Sequence, residues 1–184
     1  MAGEKGIMMT AESMEQPNPQ GDFYPMTSMP ASGDEVKKAE TVDIETRKFG
    51  MVTVFSDRIL TMPDGLPGFP GKKQFALLEL EEIRPFFWFQ SIDDPDIALI
   101  VMDPFQVLPD YEVDVEPMVK AMGWAVSAKE EIAVYTVATI GVDENGNKRI
   151  TANLIGPIVI HTGLKQATQM VIADSPYSHQ QVIA

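Results

Sequence analysis

From Thr41 onward, Gly, Pro and acidic turns cut the chain into apolar runs of roughly four to nine residues, too short for most helices and right for strands. Val42, Ile44 and Thr46 alternate with Asp43, Glu45 and Arg47, the period of a half-buried strand, and Val52, Val54 and Phe55 after Gly50 suit a return strand of a hairpin. Ile59 to Met62 is a third strand, ended by Pro63-Asp64-Gly65-Leu66-Pro67-Gly68, whose two prolines and two glycines make it a loop. Phe75 to Leu80, Phe86 to Ser91, Ile97 to Met102 and Ile132 to Ile140 follow. Asn145-Gly146 marks a hairpin before Arg149 to Leu154, and Pro157 to Ile160 and Gln169 to Ile172 complete the set. Only Glu116 to Gly123 has a helical pattern, with Met118, Val119 and Met122 three and four apart. The expected fold is mainly all-β: a single antiparallel β-barrel or sandwich-like domain with one short helix.

Residues 1–40 differ from the rest. They hold six of the twelve Met and four of the fourteen Pro, with no sustained period, and are expected to form a disordered extension ahead of a domain over 41–184. Phe23-Tyr24-Pro25 is either a short docking motif or part of an idle tail. There is no cysteine, so disulfides and thiolate metal sites are excluded. No apolar run approaches the roughly 20 residues that cross a bilayer, and the N-terminus lacks the pattern of a secretory signal. A cytoplasmic protein without membrane contact is expected.

The net charge is −13, from 27 acidic and 14 basic side chains, which disfavours direct nucleic-acid binding and suits either a basic partner or simple solubility. Chemistry is hard to find. The two histidines, His161 and His179, are not accompanied by a cysteine or by a recognisable serine motif. Asp93-Asp94-Pro95-Asp96 and Asp143-Glu144-Asn145-Gly146-Asn147 lack the ligand spacing of a calcium loop and are read as turns. No phosphate loop or dinucleotide fingerprint is present. No catalytic residue, metal or cofactor is assigned.

Charge is unevenly placed. Between Glu79 and Glu116 there are eleven acidic residues and one basic residue, Arg84, alongside Phe86, Phe87, Trp88, Phe89, Phe105 and Tyr111. Alternation puts Phe86, Trp88 and Gln90 on one face of a strand and Phe87 and Phe89 on the other; the second aromatic set is a further core layer or an exposed patch. The segment Asp103 to Tyr111, with two prolines, is extended and cannot be a central strand. Phe105, Leu108 and Tyr111 either pin this loop to the barrel or form an apolar ridge flanked by Asp103 and Asp110.

Many collinear stretches resemble the FliW flagellar assembly factor family. They are Glu45-Thr46-Arg47-Lys48-Phe49-Gly50, Asp64-Gly65-Leu66-Pro67-Gly68-Phe69, Phe75-Ala76-Leu77-Leu78, Trp88-Phe89-Gln90-Ser91-Ile92-Asp93-Asp94-Pro95 and Asp103-Pro104-Phe105. The series continues with Pro109-Asp110-Tyr111, Thr151-Ala152-Asn153-Leu154, Pro157-Ile158-Val159-Ile160 and Asp174-Ser175-Pro176-Tyr177-Ser178. The resemblance implies a non-enzymatic β-barrel protein, monomeric when free. It also implies two protein partners, the translational regulator CsrA and flagellin, and antagonism of CsrA repression of flagellin mRNA. On that footing the expected partner-binding residues are Asp93, Asp94, Asp103, Phe105, Leu108, Asp110 and Tyr111. The alternatives are a dedicated flagellin chaperone without a regulatory role and a carboxylate-using hydrolase. The 40-residue extension and the C-terminal His179 to Ala184 depart from the family pattern.

Overall fold

The structure, a computed structural model, describes residues 6–11 and 40–184. Its strands, in chain order, are β1 (Met8–Met9), β2 (Thr41–Thr46), β3 (Gly50–Phe55), β4 (Ile59–Thr61), β5 (Gln74–Glu79), β6 (Phe86–Ser91), β7 (Ala98–Met102) and β8 (Val113–Asp114). After α1 (Glu116–Ala121), the one α-helix among the described residues, come β9 (Ile132–Val142), β10 (Lys148–Ala152), β11 (Ile158–His161), β12 (Gln166–Gln169) and β13 (Gln181–Val182).

Seven strands close on themselves in the order β11-β12-β4-β5-β6-β7-β9, with β9 pairing back to β11. All pairs are antiparallel except the step from β12 to β4, a single parallel contact of Gln166 with Thr61 backed by Thr61 N–H donating to Lys165 O at 2.8 Å. The expectation of a barrel or sandwich is settled as a barrel, with one parallel joint. Strand β9 is the spine. Its one edge meets β11 over Ile132–Tyr135 and β10 over Ala138–Val142, while the other meets β7 at Thr136–Val137. Between β10 and β11 the chain bulges away from that edge at Asn153–Pro157, held by Asn153 N–H to Val137 O at 2.9 Å and by Thr136 Oγ1 donating to Asn153 O.

Because side chains alternate, each barrel strand serves two cores. Leu60, Phe75, Phe89, Val101, Ile158, Ile160 and Ala167 form the interior cluster, one or more from every barrel strand except β9, whose Ala133, Tyr135 and Val137 pack against it, and Leu66 joins them. Phe75 and Phe89 stack there with centroids 4.6 Å apart and an interplanar angle of 5°. The outward-facing residues are buried in turn by three coverings. The β2–β3 hairpin lays Ile44 and Val54 on Ala76 and Leu78, with Trp88 partly buried beside them. Phe86, Met102, Ala138 and Ile150 are sealed by Ile83, Val107 and Ile183. The largest covering is a cluster of Met9, Phe105, Tyr111, Val113, Val115, Val119, Trp124, Val134, Leu154 and Val159. The second aromatic set of β6 is therefore a further core layer and not an exposed patch.

Turn chemistry follows the sequence. At the β9–β10 hairpin Gly146 sits at φ +81°, and the Asp143 carboxylate accepts from the backbone N–H of Asn145 at 2.9 Å and of Asn147 at 2.8 Å. Those bonds, with the Asn147 backbone first, hold the Asp143 carboxyl below its ordinary range. No calcium is needed to explain the loop.

Three sequence expectations change. Gln169–Ile172 is not a strand; the pairing lies earlier, at Gln166–Gln169, because Lys165 turns the chain at φ +54° and puts β12 in register with β11 from Gln166. The two-residue strands β1, β8 and β13 were too short to give a period. The disordered extension expected over 1–40 is corrected at 6–11, where Met9 is fully buried and β1 pairs with β8. Residues 1–5 and 12–39, including Phe23-Tyr24-Pro25, lie outside the described residues.

Candidate partner interface

The structure places the seven sequence-predicted residues in two separate regions. Asp93 and Asp94 lie in the turn between β6 and β7. Asp103 begins at the far end of β7, a strand length of roughly 15 Å away, and Phe105, Leu108, Asp110 and Tyr111 follow it.

At the first end the carboxylates are used within the fold. Asp93 Oδ2 accepts from the backbone N–H of Lys73 at 2.6 Å and of Gln74 at 2.9 Å, pinning the start of β5. Asp94 pairs with Lys72 at 2.8 Å and accepts from Asp96 N–H. The hydrogen bond from Lys72 holds its carboxyl below the usual carboxylate range. Its contribution to stability is thus present at neutral pH and is lost as pH falls through that lowered range. Asp96 meets Arg47 of the β2–β3 loop at 3.4 Å, and Arg47 N–H donates to Pro95 O. Beside it Lys48 lies 4.6 Å over the Trp88 ring, against which Phe49 packs edge-on. A residue absent from the sequence-predicted set, Gln90, organises this turn. It is buried, its Nε2 donates to Ser91 O and Ile97 O at 3.0 Å, and its Oε1 accepts from Trp88 Nε1 at 3.2 Å. An amide amid an aromatic strand just before Asp-Asp-Pro was the available signal.

At the second end the proposed apolar ridge does not exist as an exposed feature. Phe105 and Tyr111 are buried, at 6% and 0% exposure, and Leu108 is half-buried against the same cluster. They anchor the loop. The Tyr111 hydroxyl donates to Leu154 O at 2.9 Å, Tyr111 packs on Tyr177 at 5.0 Å, and burial pushes its pKa up, with Tyr177 adding to the shift. Replacing Tyr111 by phenylalanine removes one buried bond and leaves Leu154 O without its donor, so we expect about 1–2 kcal/mol lower stability in chemical denaturation. Asp103 caps the 3-10 turn Pro104–Gln106, accepting from Phe105 N–H at 2.9 Å and from Gln106 Nε2 at 3.3 Å.

Burial raises the Asp103 pKa, an effect only partly offset by those two hydrogen bonds. A carboxyl whose folded pKa is raised favours the folded state most below its unfolded pKa, and that advantage is lost as pH rises through the folded value. Asp103→Asn keeps the capping oxygen and removes the charge. It is expected to match or exceed the parent's stability at neutral pH, whereas Asp103→Ala is expected to cost about 1 kcal/mol; denaturation midpoints at acid and neutral pH separate the two.

Of the eleven acidic residues between Glu79 and Glu116, four are paired with cations: Glu79 with Arg84, Asp94 with Lys72, Asp96 with Arg47 and Glu116 with Lys120. The segment therefore does not form one continuous unneutralised face. Glu81, Glu82, Asp110 and Glu112 are exposed and have no ion pair among the described residues. Ile83 and Val107 pack on the same cluster, which brings the Glu81–Glu82 turn and the Val107–Asp110 stretch to one end of the barrel. This second end is the candidate acidic surface, and only Asp110 of it was named from sequence.

His161 is a structural residue. It is buried, its Nε2 lies 3.2 Å from Ala125 O, its Nδ1 accepts from Leu164 N–H at 3.4 Å, and Trp124 packs on it edge-on. Those partners select the tautomer with the proton on Nε2. His179 is exposed near the C-terminus. Among the described residues no three His, Asp or Glu side chains gather to hold a metal, and no helix is long and apolar enough to cross a membrane.

The sequence model of the family described as FliW protein matches residues 43–183. Flagellar assembly factor FliW of Treponema denticola is 36% identical over 137 residues, 74% of this chain and 90% of that protein. The Bacillus licheniformis protein of the same name is 33% identical over 140 residues, 76% of this chain and 95% of its own length. A crystal structure of the flagellar assembly factor FliW superposes with a TM-score of 0.67 at 27% identity, over 78% of this chain and 97% of that one. With the matched segment spanning every barrel strand and the barrel itself shared, the chain belongs to the FliW family of flagellar assembly factors.

Proposed function

We propose that this flagellar assembly factor acts by binding two proteins in the cytoplasm, CsrA and flagellin, and that it relieves CsrA repression of flagellin mRNA without catalysing a reaction. The observation that carries the reading is the exposed set Glu81, Glu82 and Asp110 at one end of the barrel, with exposed Glu112 two residues further along the chain, in a protein of net charge −13. A protein that binds RNA must present Lys and Arg to phosphates. Exposed carboxylates docked beside them supply attraction at long range and add negative potential that disfavours RNA. Asp93 and Asp94 are reassigned to holding the β6–β7 turn, and Phe105 and Tyr111 to holding the loop behind the acidic surface.

The test is a binding titration of purified CsrA against the parent chain and two variants. The combined change Glu81→Lys, Glu82→Lys, Asp110→Lys and Glu112→Lys is expected to weaken binding at least tenfold. It should also flatten its salt dependence, because exposed charges act through a screened field. Asp96→Lys, which removes a mostly exposed pair, is expected to change binding less than threefold. Equal affinity for the parent and the fourfold variant would remove this surface from the mechanism. Addition of a flagellin leader RNA then asks whether CsrA leaves the RNA; binding of flagellin with no effect on that RNA complex would favour the dedicated chaperone.

A further inference from the structure

The segment Gly6–Ala11 is a ligand that the barrel already holds. Met8–Met9 adds a strand to β8, antiparallel, with Met8 opposite Asp114 and Met9 opposite Val113. Val115 N–H donates to Ile7 O at 3.0 Å, so Ile7–Val115 is a hydrogen-bonded pair and Met8–Asp114 a non-hydrogen-bonded one. The outward edge is also read: Met8 O accepts from Lys129 Nζ at 3.0 Å. Met9 is 0% exposed and belongs to the cluster of Val113, Val115, Val119 and Trp124, with Ile7 and Ala11 packed against its rim, while Met8 stays exposed. Alternate residues enter the groove and the backbone supplies the bonds, which is the mode by which extended peptides are recognised at a strand edge.

Two facts separate the occupant from the site. The groove-lining residues lie inside the family match at 43–183, and the segment lies outside it. The Bacillus licheniformis relative is matched over 95% of its length, leaving too little chain there for a 40-residue extension like this one. The barrel therefore carries this groove independently of the segment that fills it here. Residues 12–39 connect Ala11 to Glu40 and span at most roughly 100 Å. The contacts that hold Gly6–Ala11 are those of the groove itself: the pairing with β8, the Lys129 bond and the burial of Met9.

We propose that the groove between β8, α1 and Lys129 is a docking site for an extended apolar peptide of a protein partner, and that Gly6–Ala11 is the chain's built-in competitor for it. The partner peptide pairs with β8 and places one large apolar side chain where Met9 sits. Its apparent affinity is reduced by the fraction of molecules in which the groove is closed by the resident segment. The argument for this groove uses none of the acidic residues Glu81, Glu82, Asp110 and Glu112.

The experiment uses a fluorescent, end-capped copy of the resident segment, Gly-Ile-Met-Met-Thr-Ala, and reads its anisotropy with full-length protein. Met9→Asp expels the resident segment, and this chain is expected to bind the peptide at least tenfold more tightly than the parent. Because the chain has no cysteine, a second variant carrying Met8→Cys with Asp114→Cys gives a clean lock across the non-hydrogen-bonded pair. Oxidised, it is expected to take up no peptide; reduced, it is expected to bind like the parent or better. Equal binding by the oxidised and reduced forms overturns the proposal, as does a folded Met9→Asp chain that binds no more tightly than the parent. If Met9→Asp fails to fold, the oxidised and reduced forms decide alone. A dimer that grows with concentration in the reduced form and not in the oxidised one assigns the groove to a second copy and overturns the partner reading.

Discussion

Replacing Phe89 by alanine is expected to lower the free energy of unfolding by about 3–5 kcal/mol, a large part of what holds a single domain together. Phe89 is 1% exposed, lies at the centre of the barrel interior and stacks on Phe75. Both rings are fixed by the ladder that pairs β5 with β6, where Phe89 stands opposite Leu77, so neither can slide into the space left by the other. The cost therefore includes the cavity as well as the lost transfer of the ring from water. Urea denaturation followed by tryptophan fluorescence measures it. A double-mutant cycle with Phe75→Leu is expected to show coupling of about 0.5–1.5 kcal/mol for the stacked pair. A loss below about 1 kcal/mol for Phe89→Ala would mean that the interior collapses and that the closed barrel is not the stabilising unit.

Gln90→Leu is expected to cost about 2–4 kcal/mol, although it replaces a polar side chain by an apolar one of similar size. The substitution leaves Ser91 O without its amide donor and Trp88 Nε1 without its acceptor, and it removes one of the two donors to Ile97 O, which keeps the Ser91 N–H at 2.9 Å. A buried group left unpaired costs more than an ordinary bond contributes. The damage should be local. Hydrogen exchange in the turn between β6 and β7 is expected to rise well above that of β9, because Gln90 is what ties the strand to the loop. Gln90→Glu tests the same point from the other side: it keeps the acceptor for Trp88, removes the donors and adds a buried charge, so it should be at least as harmful as leucine. If exchange in that turn does not change, Gln90 is not the organiser of the turn.

The same turn shows why the expected binding residues were only partly legible. Asp93 and Asp94 look like free charge in one dimension, since their nearest basic neighbour toward the N-terminus is Arg84 and none follows before Lys120. Their partners come from the loop before β5, where Lys72 and the backbone of Lys73 and Gln74 meet them across the sheet. Asp96 is answered by Arg47, 49 residues away in sequence. A run of acidic residues therefore exposes its sequence sign without exposing its neutralisation. Phe105 and Tyr111 failed for a related reason. Alternation in an extended segment tells which residues share a face, and the 3-10 turn at Pro104–Gln106, capped by Asp103, changes which face that is. Nothing local in the sequence distinguishes Glu81, Glu82 and Glu112, which have no ion pair among the described residues, from the paired carboxylates of the same segment.

By itself the sequence determined the strands with clear alternation, the Asn145-Gly146 hairpin, the helix from Glu116, the all-β class and, through many collinear motifs, the family. These depend on interactions within a few residues or on pattern. Tertiary structure alone decided the closure through the parallel contact of β12 with β4, the use of both faces of the barrel strands as core, and the capture of Met9 by β8. It also decided which carboxylates have no ion pair among the described residues. Each of these depends on residues far apart in the chain meeting in space, and a two-residue strand or an ion pair spanning 49 positions leaves no periodic trace from which to read it.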